Sequence, residues 1–460
     1  MSAVERAEAS ATPQPSSTEA STRLPRGRLT AYALVELAIG GPLNVMTLFL
    51  GFQYAELGVS LAAVGWIVMI ARLLDVAIDP AVGLLSDRTR NRFGRRKTWI
   101  VAGTPIFALS VWRLFLPPGD VDATYFAVWL VLFWLGFSML NIPYYAWGAE
   151  LSPDYHERTR ITTLRSIAGS GGFWLAVLVP SIWQQLFGGG GRPDEVLSLV
   201  ARYTIWLLPA LVILAAIVVP DRSTAGAAVP FLRGLAVMRR NRPFLRLMAA
   251  FTIVGLGPAV QGVMFPFFMK HVVQQESSSA SSLVFYLPCV MLGITLWAAV
   301  ARRIEKHRAW MCGMAVMVCA TLAYMLVGKG DIPLMLTILM ISGVGSGALN
   351  ALPASMKADV VDLDALESGE DRAGLFFAAW SLAVKLVVAL GQFLAFNTLA
   401  LIGFQTQGAN TPEALLGLRV FYSAGPMLLY LAGLLIIWNY PITSIRHAQL
   451  RAQLAERGAR

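Results

Sequence analysis

The stretch Arg72-Leu-Leu-Asp75-Val-Ala-Ile-Asp79-Pro80-Ala-Val-Gly83-Leu-Leu-Ser86-Asp87-Arg88 decides how this chain is read. At the helical step of about 100° per residue, Arg72, Asp75, Asp79, Gly83 and Ser86 fall on one face. The run before them, back to Leu61, is apolar. An ionisable side chain at membrane depth is costly unless it is paired or lines a wet cavity. Two carboxylates and a guanidinium on one face therefore point to a cation or proton site facing a central cavity. A structural Arg72–Asp75 ion pair holding two helices together would use the same residues. Carboxylates one turn apart repel, which favours a proton on one of them. Together they can also hold a small cation through oxygen, so the one metal expected is a possible Na+ at Asp75 and Asp79.

The whole composition fits a bilayer. Of 460 residues, 56% are hydrophobic and 14% charged, and the mean hydropathy is +0.61. Soluble proteins carry about 25% charged residues. An ordinary water-facing surface cannot be built from this chain, which excludes a soluble enzyme. A spanning helix needs about 20 apolar residues, and twelve such segments are present. They run over 30–52, 61–86, 99–116, 125–151, 162–187, 203–219, 244–271, 282–301, 310–327, 333–356, 373–403 and 418–440. The fold class expected is an all-α membrane protein of twelve transmembrane helices in two six-helix halves. Residues 1–29 read as a disordered tail without a signal peptide, 30–219 as the first bundle, and 220–243 as a basic linker. Residues 244–440 read as the second bundle and 441–460 as a basic tail. Two equal halves joined by a basic linker is how a major facilitator transporter is built.

Charge sets the expected orientation. The formal net charge is +10. The even-numbered connections hold about twenty Lys and Arg, including Arg88, Arg90, Arg95, Arg96, Lys97, Arg302, Arg303 and Lys306. The odd-numbered ones hold about five: Arg192, Arg202, Lys270, Lys329 and Arg419. The excess thus reads as topology rather than a nucleic-acid footprint. It places both termini in the cytoplasm, with the chain multi-pass in the inner membrane. The partners expected are a small solute, a coupling cation and the bilayer, with no nucleic acid, no cofactor, and a monomeric carrier. Cys289, Cys312 and Cys319 lie in apolar runs and suggest no disulfide framework. The four histidines sit at no metal-ligand spacing, and no nucleophile–base pair is visible, so a membrane enzyme is disfavoured.

The segment from Gly83 to Lys97 matches the pattern G-x-x-x-D-R-x-G-R-R with a lengthened middle. Gly83 would let a neighbouring helix approach closely. Asp87 with Arg88, Gly94, Arg95 and Arg96 would form a latch between the two halves in an outward-open state. Positive-inside anchoring explains the arginines but not Gly83 or Asp87. The acidic run from Asp359 to Asp371 reads as a solvated loop or a partner for the basic loops.

These motifs make the chain resemble the glycoside–pentoside–hexuronide:cation symporters, the melibiose permease group. The resemblance rests on Asp75-x-x-x-Asp79-Pro80-x-x-Gly83, on Asn141-Ile-Pro-Tyr-Tyr-Ala-Trp-Gly-Ala-Glu, and on Ala358-Asp-Val-Val-Asp362. It implies a cation site at Asp75 and Asp79, completed by Ser138. It implies charge compensation by Lys385, Arg72 and Arg165. Lys385 also stands out without the resemblance, because it lies too deep in its helix to snorkel. The group binds its sugar with acids on helices one and four. Here the helix-four position is Asn141, and the helix-one position falls near Ile39 or Gly40, with Glu36 the nearest acid. Asn141, Glu36, Trp134, Tyr145 and Trp380 are the substrate-binding candidates. The aromatic faces can stack on sugar rings, though they also fill ordinary helix packing. Ile78 stands where the group has an asparagine of its sodium site, so H+ is favoured over Na+. The function expected is cation-coupled symport of a small organic solute, a sugar or glycoside, by alternating access. The alternatives are export or flipping of an amphiphile, and a non-transporting receptor or assembly protein.

Overall fold

The structure is a computed structural model that describes residues 24–91, 93–152, 154–188, 191–221, 241–368, 373–442 and 449. Most of the expected linker, and most of both tails, lie outside these residues. Twelve of the described helices are long and apolar enough to cross a membrane. They are α1 (Arg26–Glu56), α2 (Leu61–Arg88), α3 (Arg95–Phe115), α4 (Ala123–Glu150), α5 (Tyr155–Phe187) and α6 (Pro193–Val218). The second six are α7 (Arg242–Val273), α8 (Ser279–Ile304), α9 (Lys306–Leu326), α10 (Ile332–Ser368), α11 (Ala373–Leu401) and α12 (Pro412–Ile437).

Local chemistry starts several of them. Ser60, Asp122, Asp154, Asn241 and Thr411 each precede a helix and accept a backbone N–H from its first turn. Such caps satisfy donors that no intrahelical carbonyl can reach. Several helices exceed the apolar segments, two of them by ten residues or more. α6 begins at Pro193 rather than near 203, because Pro193, Asp194 and Glu195 form a favourable first turn. α10 runs on to Ser368, well beyond 356. Asp359, Asp362 and Asp364 therefore lie on a helix and not in a loop, and Asp359 pairs with Lys306 at 2.7 Å.

The halves repeat one packing plan that the sequence does not display. In the first, α1 packs on α5 and α6, while α4 packs on α2 and α3, and α3 on α6. Adding six to each number gives the second: α7 on α11 and α12, α10 on α8 and α9, and α9 on α12. Close approach depends on small residues. A side chain at Gly172 would strike the Leu37 carbonyl of α1, and one at Gly347 would strike the α8 backbone at Gly293. The first helix of each half also carries a π-helical turn, Met46–Leu50 in α1 and Met269–Val273 in α7. Pro42 and Pro266 lie a turn upstream. A proline removes an N–H and displaces the carbonyl before it, and a wider turn accommodates the shift.

The halves meet along α2 with α11 and α5 with α8. Their polar ties gather where the odd-numbered connections lie. Lys270 pairs with Glu56, and the Gln407 amide donates to the Glu56 carbonyl. The Thr406 hydroxyl donates to the Ala55 carbonyl at 3.0 Å, and Arg192 faces Glu276 at 3.8 Å. At the basic, even-numbered end, the Arg95, Arg96 and Asp87 pairs stay within the first half and Lys306–Asp359 stays within the second. The arrangement is closed at the odd-numbered end.

Candidate functional site

Asp75 and Asp79 sit one turn apart on α2, on the face that meets α4 and α11. α4 brings Ser138 between them. Its hydroxyl lies 3.0 Å from Asp75 Oδ1 and 2.7 Å from Asp79 Oδ1. A hydroxyl has one hydrogen to give. Both contacts are fully satisfied when one carboxyl carries a proton and donates back to the Ser138 oxygen. From the other half, α11 sends Lys385 across the seam. Its ammonium donates to Asp75 Oδ2 at 2.7 Å and also to Asp79 Oδ2. Asp75 is fully buried, whereas the Asp79 side chain is 28% exposed. Exposure thus rises toward the basic end. Arg72 lies 3.6 Å from Asp75, stacked at 3.5 Å on the Trp134 ring. Two carboxylates and two cations share the cluster. A third cation can enter only by displacing Lys385 from the carboxylate oxygens.

A second polar group forms one to two turns further along the same face of α4. Tyr145 is 40% exposed, and its hydroxyl donates to Glu36 Oε1 of α1 at 3.0 Å. The Arg165 guanidinium of α5 lies 3.8 Å from the Tyr145 ring centroid. Glu36 Oε2 and Asn141 Oδ1 are buried without a hydrogen-bond partner. Tyr32 and Tyr144 brace the group from behind, each hydroxyl donating to the other's backbone carbonyl at 3.1 and 2.7 Å. A cavity of about 550 Å³ opens beside Glu36, Asn44, Ser166 and Ser170, walled by Phe173, Trp174, Leu287 and Met291. The unpartnered Glu36 acceptor at the cavity wall, with the Ser166 and Ser170 hydroxyls beside it, suits a hydroxylated solute.

Measured against the sequence expectations, the structure brings Asp75, Asp79, Ser138, Arg72 and Lys385 into one cluster. It brings Glu36, Tyr145 and Arg165 into another. Glu36 is the α1 acid that faces this group; Ile39 and Gly40 instead pack against neighbouring helices. Two substrate-binding expectations need correction, and the latch is not engaged in this arrangement. Trp134 is 1% exposed and its ring is covered by Arg72, so it supports the charged cluster and has no face for a solute. Trp380 is buried and packs against Phe251 inside the second half, ring centroids 4.1 Å apart and planes tilted by 34°. Gly83 makes no close approach, since a side chain there would meet Ile142 at 4.0 Å. The latch is expected in an outward-open state; in this arrangement, closed at the odd-numbered end, the ion pairs of Asp87, Arg95 and Arg96 among the described residues lie within the first half. Arg96 bridges Asp87 and Glu150, Arg95 adds to Glu150 at 2.7 Å, and all lie in α2, α3 and α4. Gly94, at φ 102°, caps α3 against Asp221, and Arg88 is exposed with no ion pair among the described residues.

Sequence reasoning missed Tyr32 and Lys357, and it reads Tyr144 as a candidate cavity-lining residue, whereas Tyr144 is fully buried behind the group. Tyr32 looks like a packing residue until α1 and α4 are placed together. Lys357 lies one residue past the apolar segment that ends at 356, so it read as a loop residue. It is 7% exposed, with its ammonium 4.0 Å from the Phe377 ring.

Comparison with known proteins agrees with this architecture. A family model for MFS/sugar transport proteins matches residues 31–444. An uncharacterized symporter of Synechocystis sp. is 28% identical, over 90% of this chain and 94% of its own. A glucuronide carrier protein homolog of Escherichia coli is 25% identical, over 93% and 95%. A sodium-dependent lysophosphatidylcholine symporter of Danio rerio is 25% identical, over 96% and 93%. Among solved structures, a bacterial homolog of the lysosomal transporter Spinster superposes with a TM-score of 0.63 at 14% identity, covering 94% of this chain and 98% of that one. That likeness speaks for the fold alone.

Proposed function

This chain belongs to the family of MFS/sugar transport proteins, and we propose that it carries a glycoside together with a proton by alternating access. The observation that carries the reading is Ser138 set between Asp75 and Asp79, with Lys385 reaching both carboxylates from the other half. The relatives named as symporters support the coupling, and the glucuronide carrier homolog supports the solute class.

The steps follow from charge. A proton on the Asp75–Asp79 pair removes one anionic partner of Lys385 and loosens its hold across the seam. Solute then settles against Glu36, Asn141, Tyr145 and Arg165. After the halves rock, the solute leaves toward the basic end. Lys385 re-engages the carboxylates and expels the proton by supplying positive charge in its place. The empty carrier then returns with its buried carboxylates compensated, which lowers the cost of moving them. In this cycle the basic end and both termini face the cytoplasm of the inner membrane, and a monomer suffices. In the outward-open state, Gly83 would meet the second half and Asp87 with its arginines would act as the latch. A coupling Na+ would use the same carboxylates, but Ile78 gives it no side-chain oxygen.

Proteoliposome uptake of a glycoside panel, driven by an imposed pH gradient in sodium-free buffer, tests the proposal. Accumulation is expected. Uptake that stays silent until Na+ is added would reject the proton and leave sodium. A second reading, transport of an amphiphile, draws on the apolar wall of the large cavity and the lysophosphatidylcholine relative. Accumulation of alkyl glycosides or lysolipids, with none of short glycosides, would favour it.

A further inference from the structure

Between the halves, walled mainly by the second and closed off by Asn44, Thr47, Leu48 and Phe173 of the first, lies another chamber, of about 200 Å³. It joins the large cavity at Asn44 and Phe173, which line both. Its wall has a distinct chemistry. The Tyr286 hydroxyl donates to Ser346 Oγ at 3.1 Å, and Tyr324 and Ser342 share a hydrogen bond at 3.3 Å. Gln261 donates one amide hydrogen to the Tyr422 carbonyl at 3.1 Å, leaving its other groups free for a ligand. No charged residue lines this chamber, whereas Glu36 lines the large cavity.

A wall of neutral hydroxyls and an amide, interleaved with aromatic rings, suits an uncharged ring that presents hydroxyls at its edge and C–H bonds on its faces. It does not suit an ion, because nothing there would compensate the charge. We propose that this chamber is a second subsite, which holds a neutral sugar ring while the first ring sits at the Glu36–Tyr145–Arg165 group. The preferred solute is then a two-ring glycoside that touches both halves. This deepens the glycoside reading above and rests on it.

A covalent probe tests the chamber directly. Cys289, Cys312 and Cys319 are first replaced by serine, and Ser346→Cys is then treated with neutral 2-hydroxyethyl methanethiosulfonate. Labelling is expected at least about tenfold faster than at Thr321→Cys, a fully buried position outside the wall. Equal rates would overturn the subsite whatever the protein carries. Next, a panel of two-ring glycosides and the matching methyl one-ring glycosides is added. Two-ring compounds should slow labelling and one-ring compounds should not. Tyr286→Phe should raise the two-ring KM by roughly threefold to tenfold, the loss of one hydrogen bond, and leave the one-ring KM unchanged. Uptake of panel members without protection of Ser346→Cys would overturn the subsite alone. No cation-driven uptake of any member would overturn both the subsite and the glycoside reading.

Discussion

The two halves share one neighbour pattern but divide the chemistry. Around the two central cavities the first half gathers charge: Asp75, Asp79 and Arg72 around Ser138, then Glu36 and Arg165 around Tyr145. There the second half presents neutral hydroxyls, among them Tyr324, Ser342 and Ser346 at 5% exposure or less, and its buried Lys357 lies outside both cavities. The second half contributes Lys385 to the charged cluster across the seam. Under the proposed function, the difference teaches where coupling would reside. The first half would hold the ion site, and the second reaches its carboxylates with the Lys385 ammonium, so the relative position of the halves would be tied to the occupancy of two carboxylates.

The largest test of this division is Asp79→Asn. Accumulation should fall to the equilibrium level, while exchange of solute across vesicles survives, because exchange need not discharge the proton. Normal accumulation would break the assignment of coupling to the first half.

Lys385→Gln attacks the same cluster from the other side. It removes one of two cations and leaves Asp75 buried with weaker compensation, at a cost of about 3–5 kcal/mol. The variant's melting temperature should therefore fall, and a second change, Asp75→Asn, which removes the uncompensated charge, should restore part of the loss. A melting temperature equal to the native one in Lys385→Gln would sink the idea that Lys385 balances the aspartates.

Tyr145→Phe is a smaller change. It removes one hydroxyl bonded to Glu36, worth about 0.5–1.5 kcal/mol, and should raise the solute KM roughly twofold to tenfold. The coupling ratio should stay fixed. A changed ratio would mean that the two clusters of the first half act as one.

Arg88→Gln should do least. This side chain is exposed and has no ion pair among the described residues, so transport should stay within about twofold of native. The paired neighbour Arg96, held by Asp87 and Glu150, should be more sensitive. A large loss at Arg88 would show that it finds a partner when the halves close at the basic end.

Much of the site could be read beforehand, because membrane depth makes charge conspicuous. Asp75, Asp79, Arg72 and Lys385 stand out in apolar helices, where each is costly unless it has a partner. The neutral residues were harder. A buried tryptophan such as Trp134 looks the same whether it faces a solute or supports a guanidinium. The motif at Gly83 and Asp87 matched a pattern, but its contacts depend on which end of the molecule is closed. The acidic stretch after 356 was misplaced because hydropathy marks where the bilayer ends, and a helix can continue into water with its carboxylates paired.

By itself the sequence determined the number of spans, their division into two sixes, the sign of the charge at each end, and which ionisable groups must be buried. Those follow from transfer energies, which act on each segment separately. Only the tertiary structure decided which helices are neighbours and that the second half repeats the packing of the first. It also decided that Lys385 meets aspartates about three hundred positions away, and that the hydroxyl-lined chamber adjoins the charged one. The physical reason is that small residues and prolines set how closely and at what angle helices pack. Contacts between distant segments arise from that geometry and leave no periodic mark on either segment alone.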